Sequence, residues 1–179
     1  MTGVPILLHE SNAVPGKVTR LLGRFCNHVA LGIPTEACFL PGCKTTFTGT
    51  PLRSEFFLDQ PVPKWVPSGE GELIVVMGGS QGAMKMNEMV RNILPWLLDK
   101  GCRVIHLTGK NDCFYKKLDK VDTHANLVVR QFSNEISALL RNADLAISRA
   151  GSGAICEFCL LYTSPSPRDR TRSRMPSSA

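Results

Sequence analysis

Four clusters of glycine and polar residues in this chain have types and spacing suited to binding a phosphorylated ligand. The first is Gly78-Gly79-Ser80-Gln81-Gly82-Ala83, placed between the apolar run Leu73–Met77 and an amphipathic stretch. A buried strand that feeds a glycine-rich turn and opens into a helix aims free amides and a positive dipole end at the turn, which suits phosphate. The Ser80 hydroxyl adds a further donor. The run lacks Gly-Lys-Ser/Thr, so it is not a Walker loop, and it does not fit the GxGxxG fingerprint. The alternative is a tight strand-to-helix turn with no ligand.

The second cluster, His9-Glu10-Ser11-Asn12-Ala13-Val14-Pro15-Gly16, follows the first strand candidate. Polar groups at the carboxyl end of a parallel strand face the crevice where such folds bind ligands. His9 and Glu10 are candidates for proton transfer, and Asn12 for bonds to sugar hydroxyls; equally, Asn12 could serve as a cap or turn residue. The third, Ser148-Arg149-Ala150-Gly151-Ser152-Gly153 through Glu157, repeats the strand, glycine loop and helix order. Ser152 could cap that helix and meet phosphate, and Glu157 could accept bonds from a ribose diol or merely stabilise the helix dipole. The fourth, Gly49-Thr50-Pro51-Leu52-Arg53, sets an arginine at a turn, either as a phosphate clamp or as an ordinary surface cation.

The elements that must position these clusters are legible as alternating strands and helices. Strand candidates are 5–8, 28–31, 44–47, 73–77, 103–107, 127–129 and 145–148, with helical patterns at 16–25, 83–99, 111–120 and 134–142 and another helix beginning near Gly153. Strands apolar on both faces and separated by helices imply parallel sheets covered by helices, an α/β class. Residues 59–71 break the rhythm with Pro61, Pro63, Pro67, Gly69 and Gly71, and read as an interdomain linker. Residues 1–58 and 72–160 are then parts of two domains. Residues 161–179 hold no apolar period and read as a non-native tail.

Composition narrows the function class. The formal charge is +6, of which the tail supplies +3 through four arginines and one aspartate, leaving a mild +3 over residues 1–160. That excess suits phosphate ligands or an anionic membrane surface and argues weakly for nucleic acid. An Arg/Ser-rich nucleic-acid tail would rest on the suspect segment alone. The seven cysteines are odd in number, and no signal peptide or membrane-length apolar run occurs, which is read as a reducing cytoplasm. Cys156 and Cys159 have redox-motif spacing but no second pair.

Taken in order, the four clusters resemble the MurG family of peptidoglycan N-acetylglucosaminyltransferases, from about Gly3 to Glu157. His9 through Gly16 is similar to that family's HEQNxxxG loop with Ser11 in place of Gln. Gly49 through Arg53 resembles its GNPVR turn with Thr50 for Asn, and Gly78 through Ala83 matches its GGSQGA loop. Arg149 through Glu157 resembles RSGAxTxxE, with Gly153 and Ala154 departing from it. The resemblance implies a glycosyltransferase B fold, two Rossmann-like domains with parallel sheets, both incomplete here, with the donor held mainly by the second.

It further implies inverting transfer of N-acetylglucosamine from UDP-N-acetylglucosamine to a lipid-linked muramyl-pentapeptide, with no metal cofactor. Asn12 would lie near the donor sugar, Arg53 and Ser80 on the diphosphate and Glu157 on the ribose, with Gly79, Gln81 and Ser152 also binding the donor. The backbone near Ser133 would face uracil, and His9 and Glu10 are the catalytic candidates present. The family's GGTGGH loop would precede Met1 and its sugar-holding Gln residues would follow Glu157, so the chain reads as a fragment inactive alone. Its place would be the inner face of the plasma membrane, as a peripheral protein, with no nucleic-acid partner. The alternatives are a non-catalytic nucleotide-sugar-binding module and a related lipid-directed transferase such as a galactolipid synthase.

Overall fold

In the computed structural model residues 3–34, 39–112 and 124–163 are described. They form two compact units, one holding the residues up to Arg53 together with Gly151–Glu157, the other Ser54–Ala150 and the described residues from Phe158. The division falls at Arg53/Ser54, ahead of the proline-rich stretch 59–71 in which the sequence places its linker. That stretch is tied to the second unit: Arg103 donates from Nε to the Gly71 carbonyl (2.7 Å) and from a terminal nitrogen to that of Pro67 (3.1 Å).

The first unit carries β1 (Leu7–Glu10), α1 (Lys17–Leu22) with a short 3-10 turn (Gly23–Phe25), β2 (His28–Leu31) and β3 (Thr45–Phe47). The three strands form a parallel sheet in the order β1-β2-β3. Val29, Leu31 and Leu40 make its small core, with Leu8 and Cys43 packed alongside. β1 starts two residues later than the apolar run suggests and extends through His9 and Glu10, whose partners are Ala30 and Leu31. Pro5 has no N–H for a ladder. Ile6 instead exchanges bonds with Asn27, its N–H to Oδ1 (2.7 Å) and its carbonyl from the Asn27 N–H (2.9 Å).

The second unit holds β4 (Leu73–Met77), α2 (Met84–Asp99), β5 (Arg103–Leu107), β6 (Leu127–Arg130), α3 (Ile136–Asn142) and β7 (Leu145–Ser148). All pairs are parallel, in the order β6-β5-β4-β7. β4 is buried along its whole length because both its faces and both its edges are covered, as its unbroken apolar sequence requires. Ile74, Val76 and Val104 of the sheet pack on Val90, Leu94 and Leu97 of α2, whose spacing of three and four residues lays them on one helix stripe. Pro95 lies inside α2, where the helix does without one N–H donor.

α4 (Ser152–Thr163) follows β7 and runs three residues past the tail boundary read at 160. Most of the helical pattern at 111–120 and of the tail lies outside the described residues, as do Cys38 and Cys113. Among the described residues Cys26, Cys43, Cys102, Cys156 and Cys159 form no disulfide. No described helix is long and apolar enough to cross a membrane.

Candidate functional site

β4 and β7 are neighbours, and Met77 pairs with Ser148, so the loops after them leave the sheet side by side. The chain order reverses at this pair, with β5 and β6 to one side of β4 and β7 to the other. In open parallel sheets the crevice beyond such a switch is where ligands bind.

The loop after β4 is shaped by its glycines. Gly79 and Gly82 have φ of +85°, and the Gly82 N–H donates to the Gly79 carbonyl (2.9 Å), closing a tight turn. α2 starts directly after it with no side chain capping its N-terminus and no acid in its first turn. Its first amides therefore remain available to an anion. Ser80 and Gln81 are exposed on this loop, and no hydrogen bond of the Ser80 hydroxyl occurs among the described residues. Gln81 is engaged: its Oε1 accepts from Asn111 Nδ2 at 3.1 Å.

The loop is braced from beneath by a second one, residues 108–112, at the carboxyl end of β5. The Lys110 N–H donates to the Ser80 carbonyl (3.1 Å) and the Asn111 N–H to that of Gln81 (3.3 Å). Gly109 (φ +82°) lies so close to Gly82 that a Cβ on either would overlap the other loop's backbone.

A buried polar network, which the sequence reading missed, fixes the bracing loop. Asn87, one turn into α2 and with 0% exposure, donates from Nδ2 to the Thr108 carbonyl (2.8 Å) and to Asp112 Oδ2 (2.6 Å). Two acceptors orient the amide, so its Oδ1 faces His106 Nε2 at 3.2 Å. That nitrogen must therefore carry the proton. Arg91 donates to the same Asp112 oxygen at 2.9 Å. Burial, reinforced by the Arg91 charge and opposed by Asp112, holds the His106 pKa down to about 4, so the imidazole is neutral. The only sequence-level signal was the polar Asn87 on the apolar stripe of α2.

In the first unit Glu10, read as a proton-transfer candidate, is held by the loop that follows it. Its buried carboxylate accepts from the Asn12 N–H (2.9 Å), Asn12 Nδ2 (2.7 Å) and the Gly16 N–H (2.8 Å). Burial raises its pKa, but hydrogen bonds from the Thr19 hydroxyl, Asn12 and Gly16 outweigh it and bring the value to about 2. A carboxylate so satisfied is a poor proton acceptor; it organises the loop and aims Asn12. His9 is likewise committed. Its Nε2 lies 3.1 Å from the Gly49 carbonyl and its Nδ1 3.2 Å from the Ser11 hydroxyl. A carbonyl only accepts, so Nε2 donates to it and Nδ1 accepts from the hydroxyl. His9 thus ties the 9–16 loop to the turn that carries Arg53.

Arg53 and Glu157, read as separate ligand contacts, meet each other. Arg53 donates from Nε (3.2 Å) and Nη2 (2.9 Å) to Glu157 Oε1. The Ser133 hydroxyl, read near a base-binding stretch, accepts from the Glu135 N–H at 3.0 Å. Trp65 donates from Nε1 to the Glu135 carboxylate at 2.7 Å. Arg130 stacks on the same indole, 3.8 Å from the ring centre, as a cation–π contact. Ser152 opens α4, half-buried, with no side-chain hydrogen bond among the described residues. Among the described residues no three of His, Cys, Asp and Glu come together as a metal site.

Residues 73–163 match the glycosyltransferase family 28 C-terminal domain. The chain is 71% identical over 163 residues to the UDP-N-acetylglucosamine--N-acetylmuramyl-(pentapeptide) pyrophosphoryl-undecaprenol N-acetylglucosamine transferase of Prochlorococcus marinus (strain NATL2A), covering 91% of this chain and 46% of that protein. The protein of the same description from Synechococcus sp. (strain CC9902) is 58% identical over 161 residues, covering 90% and 44%. Among solved structures, that of Acinetobacter baumannii MurG aligns with a TM-score of 0.51 at 26% identity, over 87% of this chain and 43% of that one. The chain thus spans a little under half the length of the curated relatives it matches.

Proposed function

The chain belongs to glycosyltransferase family 28, and from that premise we propose that it forms the donor-handling part of an inverting transferase of glycosyltransferase B type. The donor is UDP-N-acetylglucosamine and the acceptor a lipid-linked muramyl-pentapeptide, the substrate pair named in the description of its relatives. The observation that carries this reading is the loop after β4. It combines an uncapped α2 N-terminus, a Ser80 hydroxyl with no partner among the described residues, and a bracing loop that holds both in place.

In such a transfer the acceptor hydroxyl gives its proton to a general base and attacks the anomeric carbon as the bond to the UDP oxygen breaks, and negative charge grows on the diphosphate. Fixed donors aimed at that charge stabilise the transition state more than the ground state. Within the second unit Gly79, Ser80 and Gln81 offer such donors to a phosphate, and the backbone near Ser133 takes the uracil. His9 and Glu10 are positioning residues in this scheme, since each is tied to loop atoms. The scheme uses no metal and no nucleic acid. An acceptor anchored by a lipid chain puts the reaction at the inner face of the plasma membrane, where the protein works as a peripheral one.

The test is calorimetric titration of UDP into the 179-residue chain. Ser80→Ala removes one hydrogen bond to a charged group and should weaken UDP by about 1.5–3 kcal/mol. Equal affinity of the variant and the parent would reduce the loop to a tight turn of the scaffold.

A further inference from the structure

We propose that Lys110 is a further ligand of the donor diphosphate, reaching it from the loop after β5; this rests on the reading of residues 78–83 as the phosphate site. Lys110 is exposed, and its own N–H donates to the Ser80 carbonyl at 3.1 Å. Its side chain therefore starts on the rim of the ligand loop, and a four-carbon stem spans what remains.

The position is fixed rather than incidental. On one side of Lys110, Gly109 packs against Gly82; on the other, Asn111 bonds the Gln81 carbonyl through its N–H (3.3 Å) and the Gln81 side chain through Nδ2 (3.1 Å). Two residues on, Asp112 is buried and bound to Asn87 and Arg91. The acid nearest in sequence is thus paired with Arg91 rather than with Lys110. No ion pair of Lys110 occurs among the described residues, and the first turn of α2, which contains Lys85, holds no acid. Cation and helix amides flank one loop, and both favour a group bearing more than one negative charge. An ammonium gives such a group a point charge without the planar fork of arginine.

The experiment is titration of UDP, UMP and uridine into the full chain and into Lys110→Gln, Lys110→Arg, Ser80→Ala and Lys100→Gln. Lys100 caps the opposite end of α2, so its loss changes net charge equally but far from the loop. Lys110→Gln should bind UDP roughly tenfold more weakly with a shallower salt dependence, as expected for one lost charge-assisted contact, and bind uridine unchanged. Lys110→Arg should restore most of the affinity, and Lys100→Gln should match the parent. If Lys110→Gln binds UDP like the parent while Ser80→Ala is weakened, the lysine assignment falls and the phosphate loop stands. An equal loss in Lys100→Gln would also overturn it, since the effect would be one of net charge. If the parent fails to bind UDP, or neither Ser80→Ala nor Lys110→Gln differs from it, the donor-site reading falls and this inference with it.

Discussion

Acid should unfold the second unit through one buried imidazole. His106 has 1% exposure and takes a proton only near pH 4, whereas an unfolded histidine takes one near 6.5. At pH 7 both states are neutral at this residue. Between 6.5 and 4 the unfolded chain binds the proton and the folded one does not, so stability falls as pH falls. The slope is about 1.4 kcal/mol per pH unit and the loss about 3 kcal/mol in all, levelling off below about pH 4. Protonation in place would also set an imidazolium near Arg91, with Asp112 the opposing charge. The two tryptophans, Trp65 and Trp96, both lie in the second unit, so their fluorescence follows that unit alone. Urea midpoints should decline from pH 7 to pH 4 in the parent. His106→Gln, which can keep a donor toward Asn87 Oδ1 but cannot titrate, should flatten that part of the curve. An identical decline in the variant would refute the assignment.

Glu10→Gln should destabilise the 7–16 region by about 2–3 kcal/mol, because an amide NH₂ would face the Gly16 N–H or the Asn12 donors. As the folded Glu10 pKa is depressed, the parent's contribution is present above about pH 4.5 and lost as pH falls through about 2. Amide exchange of residues 7–16 should show that acid sensitivity in the parent and none in the variant. Gly109→Ala should cost about 2 kcal/mol or more, since it strains a left-handed backbone and crowds the facing loop. The added Cβ would overlap Gly82, so UDP should weaken as well. Denaturation and UDP titration of the one variant check both.

Much of the scaffold was legible in the residues. Leu73–Met77 is apolar at every position because β4 is flanked on all sides, and a fully covered strand writes that pattern plainly. The glycines after it marked a turn, and the amphipathic pattern at 83–99 marked the helix that follows. What stayed hidden depends on partners far apart in sequence. Asn87 lies 19 residues from His106 and 25 from Asp112, and Arg53 lies 104 from Glu157. No local pattern encodes such meetings. The surroundings of Glu10 were hidden for a related reason: the amides that saturate its carboxylate come from the fold of the loop after it. The β1 offset came from reading apolarity as pairing, whereas the strand continues into the polar residues it delivers to the loop.

The contact of Gly82 with Gly109 bears on how the ligand loop moves. Two backbones that touch without intervening side chains, and are joined beside the contact by the Lys110 and Asn111 N–H groups donating to the Ser80 and Gln81 carbonyls, have no sliding mode. The turn after β4 cannot lift alone; it must carry residues 108–112 with it and break the bonds at Thr108 and Asp112 in the same event. Opening is then a single cooperative step. The amides of Gly82, Lys110 and Asn111 should exchange with one common free energy, and ligand binding should slow all three together.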